Sequence, residues 1–120
     1  MNPKKSNRET GIQGEALAEN YLTSLGYKVL EKNWRYSRSE IDLIAMDGNI
    51  LVFVEVKTRS YDFFGSPETF VSDQKELLIH EAASVYMEKI NHDWEIRFDI
   101  IAILLNKNGS HHLEHFKDAF

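Results

Sequence analysis

The chain has 120 residues, of which 42% are hydrophobic and two are proline, and this composition predicts one globular domain with a buried core. It contains no cysteine, which excludes disulfides, thiolate catalysis and cysteine-bound zinc. The net charge of −5 argues against a general nucleic-acid coat protein, but residues 1–60 carry nine of the 14 Lys and Arg. No apolar run is long enough to cross a membrane and the basic start does not read as a secretory signal, so we expect a cytoplasmic protein without a membrane partner.

The first half of the chain predicts a helix followed by three strands. Residues 1–10 are polar and are expected to be flexible, and residues 1–120 are treated as a single domain. From Thr10 to Leu25 apolar residues recur at three- and four-residue spacing, which predicts a helix that ends before Gly26. The three strands are predicted over 27–36, 39–46 and 50–58. The dipeptide Asp47–Gly48 indicates a tight hairpin between the last two, and the third strand is apolar enough to be central.

The second half predicts another helix and one long strand. The helix runs from Ser72, a plausible N-cap, to Ile90. A strand over Trp94–Leu105 follows, and His111–Phe116 is predicted to be a short edge strand. The order is therefore α-β-β-β-α-β with a further β, which predicts an α/β architecture whose mixed central sheet is flanked by helices.

Four ionisable side chains occupy strand positions that should be apolar: Glu40, Asp42, Glu55 and Lys57. Alternate residues of a strand share a face, so Glu40 accompanies Asp42, and Glu55 accompanies Lys57. If Asp47–Gly48 is a two-residue loop, Glu40 lies opposite Glu55, and Asp42 opposite Phe53. Asp42 and Glu55 then become diagonal neighbours on one face, about 7–8 Å apart at the backbone. A one-residue slip would separate the pairs, and finding Asp42 and Glu55 on opposite faces would contradict the hypothesis.

These residues predict a site for a hard divalent cation. Oxygen ligands favour Mg²⁺ or Mn²⁺, which bind one or two carboxylates together with a substrate phosphate. Lys57 could help to deprotonate a water or stabilise charge that builds on a phosphate. Glu15, at the edge of the apolar stripe of the first helix, could hold a water or a second ion. The alternative is an ordinary solvated strand end, because Glu-x-Lys alone is a common sequence.

A family resemblance supports this interpretation. The segments "GEALAENYLTSLGYKVLEKNWR", "EIDLIA", "LVFVEVKTR", "RFDIIAI" and "HFKDAF" occur in this order between Gly14 and Phe120, and together they resemble the YraN-like family of small bacterial proteins. That family is assigned to the restriction-endonuclease-like fold and resembles archaeal Holliday junction resolvases. The resemblance implies an α-β-β-β-α-β core and the PD-(D/E)-x-K signature, with Asp42 as its aspartate, Glu55 as its second acid and Lys57 as its lysine.

The same resemblance assigns two further acids to the catalytic set. Glu15 matches the acidic residue of the first helix, and Glu40 matches the acid of the family's Gly-Glu-Ile-Asp, in which Ser39 replaces the glycine here. Ile41 stands where a proline is often written before the aspartate. The metal ligands are then Asp42, Glu55 and the main-chain carbonyl of Val56.

Several basic and aromatic residues are candidates for nucleic-acid contacts. Arg35, Arg38 and Arg59 lie near the predicted strand ends, and Lys75 opens the second helix, whose N-terminus could face phosphate. Ordinary solvated charges are equally consistent with these positions. An aromatic loop over Tyr61–Gly65 could stack on bases or meet a dimer partner, although local packing is the default.

Two other groups are interpreted as structural. The histidines His111, His112 and His115 lie in a terminal segment without strong periodicity, so a metal site there is disfavoured. Arg97 and Asp99 share a face of the fourth strand and are expected to form an ion pair.

Three functional hypotheses follow. The first is a Mg²⁺- or Mn²⁺-dependent endonuclease acting on DNA, with branched or structured DNA as the specific expectation. The second is a non-catalytic module that has a nuclease fold and binds nucleic acid or a protein partner without cutting. The third is the same chemistry directed at RNA, since nothing in the sequence reads a 2′-hydroxyl. The sequence leaves the oligomeric state open; a homodimer is one possibility, since junction-cutting relatives usually form one.

Overall fold

A computed structural model of the chain describes residues 7–61 and 73–120. Its elements are α1 (Asn7–Ser24), β1 (Lys28–Tyr36), β2 (Ser39–Asp47), β3 (Ile50–Ser60), α2 (Asp73–Lys89), β4 (Ile96–Leu105) and β5 (His111–Phe116). The predicted order of helices and strands is confirmed. Helix α1 begins at Asn7, three residues before the predicted start, while the proposed cap Ser72 lies outside the described residues.

The five strands form one mixed sheet in the order β1-β2-β3-β4-β5. Three of the four pairings are antiparallel, whereas β3 and β4 are parallel. A parallel pair needs a crossover connection, and α2 lies in the segment that makes it. The α/β class and the central position of β3 are therefore as predicted.

The two helices cover opposite faces of this sheet. The α1 layer is the cluster that includes Ala18 and Leu22 of the helix with Leu43, Val54 and Val56 of the sheet. The α2 layer is the cluster that includes Ile79, Ala82 and Tyr86 of the helix with Ile41, Ile44, Phe53 and Phe98. Because β3 contributes to both layers, its run of apolar residues is buried on both sides. Within the described ranges, neither helix is long and apolar enough to cross a membrane.

The hairpin between β2 and β3 turns one residue later than predicted. Asp47 pairs with Ile50, so the loop is Gly48–Asn49 and not Asp47–Gly48. Gly48 has φ of 61° and Asn49 has no positive φ, which matches a type II′ turn with glycine at its first loop position. The predicted pairing of Asp42 with Phe53 is therefore wrong, since Phe53 faces Ile44. The shift changes the pairing by two residues, an even number that leaves each side chain on its own face.

Candidate functional site

Asp42 lies where β2 and β3 separate. The ladder between these strands ends at the pair Leu43–Val54, and beyond it Asp42 Oδ2 accepts a hydrogen bond of 2.8 Å from the backbone N–H of Val56. A strand N–H points along the plane of the sheet, so this carboxylate lies in the gap between the strands. The strand is irregular here, because Ile41 belongs to the α2 layer and Leu43 to the α1 layer, although regular alternation would put both on one face.

Glu55 points toward α2 from the centre of the sheet. Its neighbours Val54 and Val56 belong to the α1 layer, and its own side chain is only 5% exposed. Oε1 accepts from two ammonium groups, Lys57 Nζ at 3.1 Å and Lys75 Nζ at 2.5 Å. Oε2 is buried and has no hydrogen-bond partner among the described residues. A buried carboxylate oxygen without a partner is costly, so this atom has the capacity to accept one more ligand.

Two further acids meet on the side of α1. Asn33 Nδ2 donates to Glu15 Oε1 at 3.1 Å and to Glu40 Oε1 at 2.8 Å, and Arg35 Nη2 is 2.8 Å from Glu40 Oε2. Carboxylate oxygens of Glu15, Glu40 and Asp42 all lie within 4.8 Å of one another. Three oxygens at this spacing could share a cation, although exposed acids also cluster without one.

Strand alternation predicted that the acids would share one face of the sheet, and the structure does not place them on one face. Glu40 joins Glu15 beside α1, whereas Glu55 and Lys57 lie beside α2. Asp42 stands between the two groups, in the plane of the sheet. The predicted pairing of Glu40 with Glu55 is wrong for two reasons, the later turn and the break in the alternation of β2. Asp42 nevertheless lies next to both groups, the one beside α1 and the one beside α2. All the predicted acids therefore border one region.

The approach of α1 to the sheet determines where Glu15 lies. A Cβ atom added to Gly14 would be 1.6 Å from Thr58 Oγ1, which means that the helix backbone rests directly on β3 at this point. Thr58 Oγ1 is buried and lacks a hydrogen-bond partner in the described part of the chain. Because Glu15 follows Gly14 directly, the close contact holds its backbone next to the end of the sheet.

Burial and neighbouring charges change the ionisation of the site. Burial, then the charges of Glu55 and Glu15, raise the pKa of Asp42 to about 8, although the N–H of Val56 opposes this. Burial lowers the pKa of Lys57, and the nearby Lys75 lowers it further against the attraction of Glu55. Burial also acts to lower the pKa of Lys75, but its contact with Glu55 outweighs burial and the pKa is raised.

The residues predicted to contact nucleic acid fall into two groups. Arg35 and Arg38 are exposed at the β1–β2 turn, and Arg59, near the end of β3, is partly buried with Nη1 donating to the carbonyl of Thr58. Lys75, in contrast, lies among the candidate site residues, because its Nζ donates to Glu55 Oε1. Tyr61 is exposed, while the remaining aromatic residues of the predicted loop lie outside the described residues.

The structural interpretation of Arg97 and Asp99 is confirmed. Arg97 Nε and Nη2 donate to the two oxygens of Asp99 at 2.8 and 3.0 Å. His115 Nε2 is 2.7 Å from Asp99 Oδ2, and its Nδ1 is 3.0 Å from Tyr21 Oη. His112 is exposed and pairs with Glu114, so these two histidines have separate surroundings.

Two residues of the site were missed from the sequence. Asn33 has φ of 52°, a left-handed conformation that asparagine tolerates better than most residues. The sequence signal that could have identified it is an asparagine within a predicted strand of apolar and charged residues. Gly14 lies inside a helix, where glycine costs about 1 kcal/mol relative to alanine. A glycine that a helix retains in its interior often marks a close packing contact.

Comparison with known proteins gives one consistent family. The model of a family described as "Uncharacterised protein family UPF0102" matches residues 14–103, a range that contains every acid and both lysines of the site. The chain is 46% identical over 112 residues to a UPF0102 protein of Christiangramia forsetii, with 93% of each chain covered. It is 44% identical over 125 residues to one from Chlorobium chlorochromatii, covering 100% of this chain and 97% of the relative. A Flavobacterium johnsoniae relative is 47% identical over 117 residues, with 93% and 94% covered.

Proposed function

The chain belongs to the UPF0102 family, and we propose that it is a Mg²⁺- or Mn²⁺-dependent endonuclease that acts on DNA, with branched or structured DNA as its substrate class. One observation carries the proposal. The buried Glu55 has one oxygen, Oε2, without a hydrogen-bond partner among the described residues, beside Lys57 and at the place where Asp42 fills the gap between β2 and β3. The restriction-endonuclease-like arrangement and a homodimer are parts of the same proposal.

The residues present suit a hard divalent cation. It would be held by Asp42, by the carbonyl of Val56 and by Glu55 Oε2, which has no hydrogen-bond partner in the described part of the chain, and all three donors are oxygen. In an extended strand the N–H and C=O of one residue point to the same side, so the bond from Val56 N–H to Asp42 implies a carbonyl directed the same way. The bound ion would supply Lewis-acid activation of a phosphate oxygen and of the attacking water.

The chain's own residues would supply positioning and charge. In hydrolysis a water oxygen attacks phosphorus, the bond from phosphorus to the leaving oxygen breaks, and charge builds on the phosphate oxygens. The ammonium of Lys57, 15% exposed, would donate a hydrogen bond to that charge. Glu15 and Glu40, held together by Asn33, would orient the water and accept its proton. The exposed Arg35 and Arg38, with Arg59, would contact the nucleic-acid backbone.

A second function is favoured by one feature of the same site. Glu55 is already neutralised by Lys57 and Lys75, so the acid has counter-charges without any cation. This arrangement would also suit a non-catalytic module that binds nucleic acid or a protein. Such a module would bind DNA without turnover, and Lys57→Ala would cost it only a modest, salt-dependent loss of affinity.

The test is cleavage of a labelled panel comprising single-stranded, duplex, flap and four-way-junction DNA together with RNA, in Mg²⁺ and in Mn²⁺. The variant Asp42→Asn is compared with Asp93→Asn, a matched change at an exposed aspartate. We expect cutting of at least one DNA that is lost in Asp42→Asn and retained in Asp93→Asn. Cutting of RNA alone would redirect the substrate class. Binding without cutting by all three proteins would favour the second function.

A further inference from the structure

Two ammonium groups converge on one carboxylate oxygen at the site. Lys57 Nζ and Lys75 Nζ lie 3.1 and 2.5 Å from the same atom, Glu55 Oε1. They come from different elements, since Lys57 is on β3 and Lys75 is the third residue of α2. One negative charge needs only one positive partner, so the second ammonium exceeds what the burial of Glu55 requires.

The two lysines differ in how firmly the fold holds them. The side chain of Lys57 is 15% exposed, whereas that of Lys75 is 35% exposed and reaches the acid from the first turn of a helix. A divalent cation on Glu55 would be repelled by both ammonium groups at close range, and their partial burial reduces the screening of that repulsion by solvent. The more exposed Lys75 is the one that can withdraw toward solvent.

We propose that Lys75 is a displaceable counter-ion, which competes with the divalent cation for Glu55 and moves to a substrate phosphate when the cation binds. This inference rests on the proposed function and adds its regulation. Without DNA, Lys75 opposes loading of the ion. With DNA, the phosphate takes the ammonium of Lys75, which no longer opposes the cation at Glu55. Metal and DNA therefore favour each other's binding, and this coupling is reciprocal.

The first test is Mn²⁺ binding to the full chain by titration calorimetry, without DNA. We expect Lys75→Met to bind Mn²⁺ on the order of tenfold more tightly than wild type, because a nearby like charge has been removed. Lys75→Arg keeps the charge and should remain within about threefold of wild type by the same reasoning. Lys107→Met, at an exposed lysine between β4 and β5, is the matched control and should leave affinity unchanged. Unchanged or weaker binding by Lys75→Met would overturn the inference.

The second test repeats the titration with Ca²⁺ in the presence of four-way-junction DNA. Wild type should bind the ion more tightly with DNA than without it, and Lys75→Met should lose most of that difference. An equal difference in both proteins would overturn the proposed transfer to phosphate. If Lys75→Met fails to fold, Lys75→Gln keeps a donor for Glu55 without the charge and should show the same gain in Mn²⁺ affinity.

Asp42→Asn separates this inference from the function on which it rests. If Asp42→Asn binds Mn²⁺ as well as wild type does, the metal site itself is wrong, and the proposed endonuclease fails with it. If Asp42→Asn loses Mn²⁺ binding while Lys75→Met gains nothing, only the competition by Lys75 is refuted.

Discussion

Gly14 of α1 and Thr58 of β3 touch without any intervening side chain. A Cβ on Gly14 would fall 1.6 Å from Thr58 Oγ1 and 2.7 Å from Thr58 Cβ, so no rotation of the threonine could make room for it. The contact brings the helix backbone onto the central strand one residue before Glu15. It thereby links the packing of the fold to the position of one acid of the candidate site.

Gly14→Ala should destabilise the protein. Overpacking of this kind typically costs about 1–3 kcal/mol, which lowers the melting temperature by roughly 4 °C per kcal/mol in a domain of this size. Gly11→Ala is the matched control, because no atom of the described residues lies within 4 Å of its added Cβ. In the same helix that change should stabilise by about 0.4–1 kcal/mol. Thermal unfolding monitored by circular dichroism distinguishes the two, and equal effects would contradict the close contact.

The ionisation of Asp42 should appear in the pH dependence of stability. Its pKa is raised from 3.8 to about 8 in the folded state, so the folded protein binds the proton more tightly than the unfolded chain. Stability from this group is complete below pH 4 and is lost as the pH rises toward 8. Asp42→Asn does not titrate, and its Oδ1 can still accept from Val56 N–H. We therefore expect the melting temperature of Asp42→Asn minus that of wild type to increase from pH 5 to pH 9, because only wild type loses this contribution. A constant difference across that range would refute the shift.

Asn33 should be needed as a hydrogen-bond donor. Asn33→Asp keeps the size and tolerates the positive φ, but it replaces the amide by a third acid beside Glu15 and Glu40. Because the Asn33 side chain is exposed, we expect a loss of only about 1 kcal/mol at pH 8.

Asn108→Asp provides the control for that substitution. Asn108 Oδ1 accepts from the N–H and hydroxyl of Ser110, a role that a carboxylate fills equally well. Its stability in urea unfolding at pH 8 should therefore be unchanged. Equal losses in the two variants would show that the donor role of Asn33 is unimportant.

Asp99 should be essential for folding and not for chemistry. It is fully buried and accepts from Arg97, from His115 and from the N–H of Asp118. Burial alone would raise the pKa of Asp99, but these bonds outweigh it and the pKa is lowered. Stability from this group is therefore present at neutral pH and is lost as the pH falls below 3.8 through the folded pKa.

Asp99→Asn should cost about 3–5 kcal/mol, because it removes the fully buried carboxylate that pairs with Arg97 and leaves only the partly exposed Asp47 as an ion-pair partner. Denaturant unfolding at pH 7 measures this loss. His112→Ala, which removes one member of an exposed pair with Glu114, should change stability by less than about 0.5 kcal/mol. A small effect of Asp99→Asn would mean that the network contributes little to the fold.

Much of the fold was determined by local sequence pattern. The spacing of apolar residues in α1, the doubly buried run of β3 and the turn residues after Asp47 each specify an element through local sterics and burial, so the order of helices and strands could be predicted. The strand ends were accurate to about two residues, and β5 was correct at both ends. The ion pair of Arg97 and Asp99 also followed from alternation, because β4 is regular at that point.

The arrangement of the candidate site depended on tertiary structure. The sequence Asp47–Gly48–Asn49 allows the turn to begin at more than one residue. The twist of the paired strands decides between them, because it demands a particular backbone φ at the first loop residue. The break in β2 at Asp42 places acids from both sides of the sheet around one gap, which alternation cannot reveal. Asn33 reaches its acids from a left-handed backbone position within β1, and Lys75 reaches Glu55 because the crossover connection places α2 over the sheet. Local sequence determines which residues are polar and which element they occupy, whereas contacts between residues far apart in the chain exist only after the sheet and helices have packed.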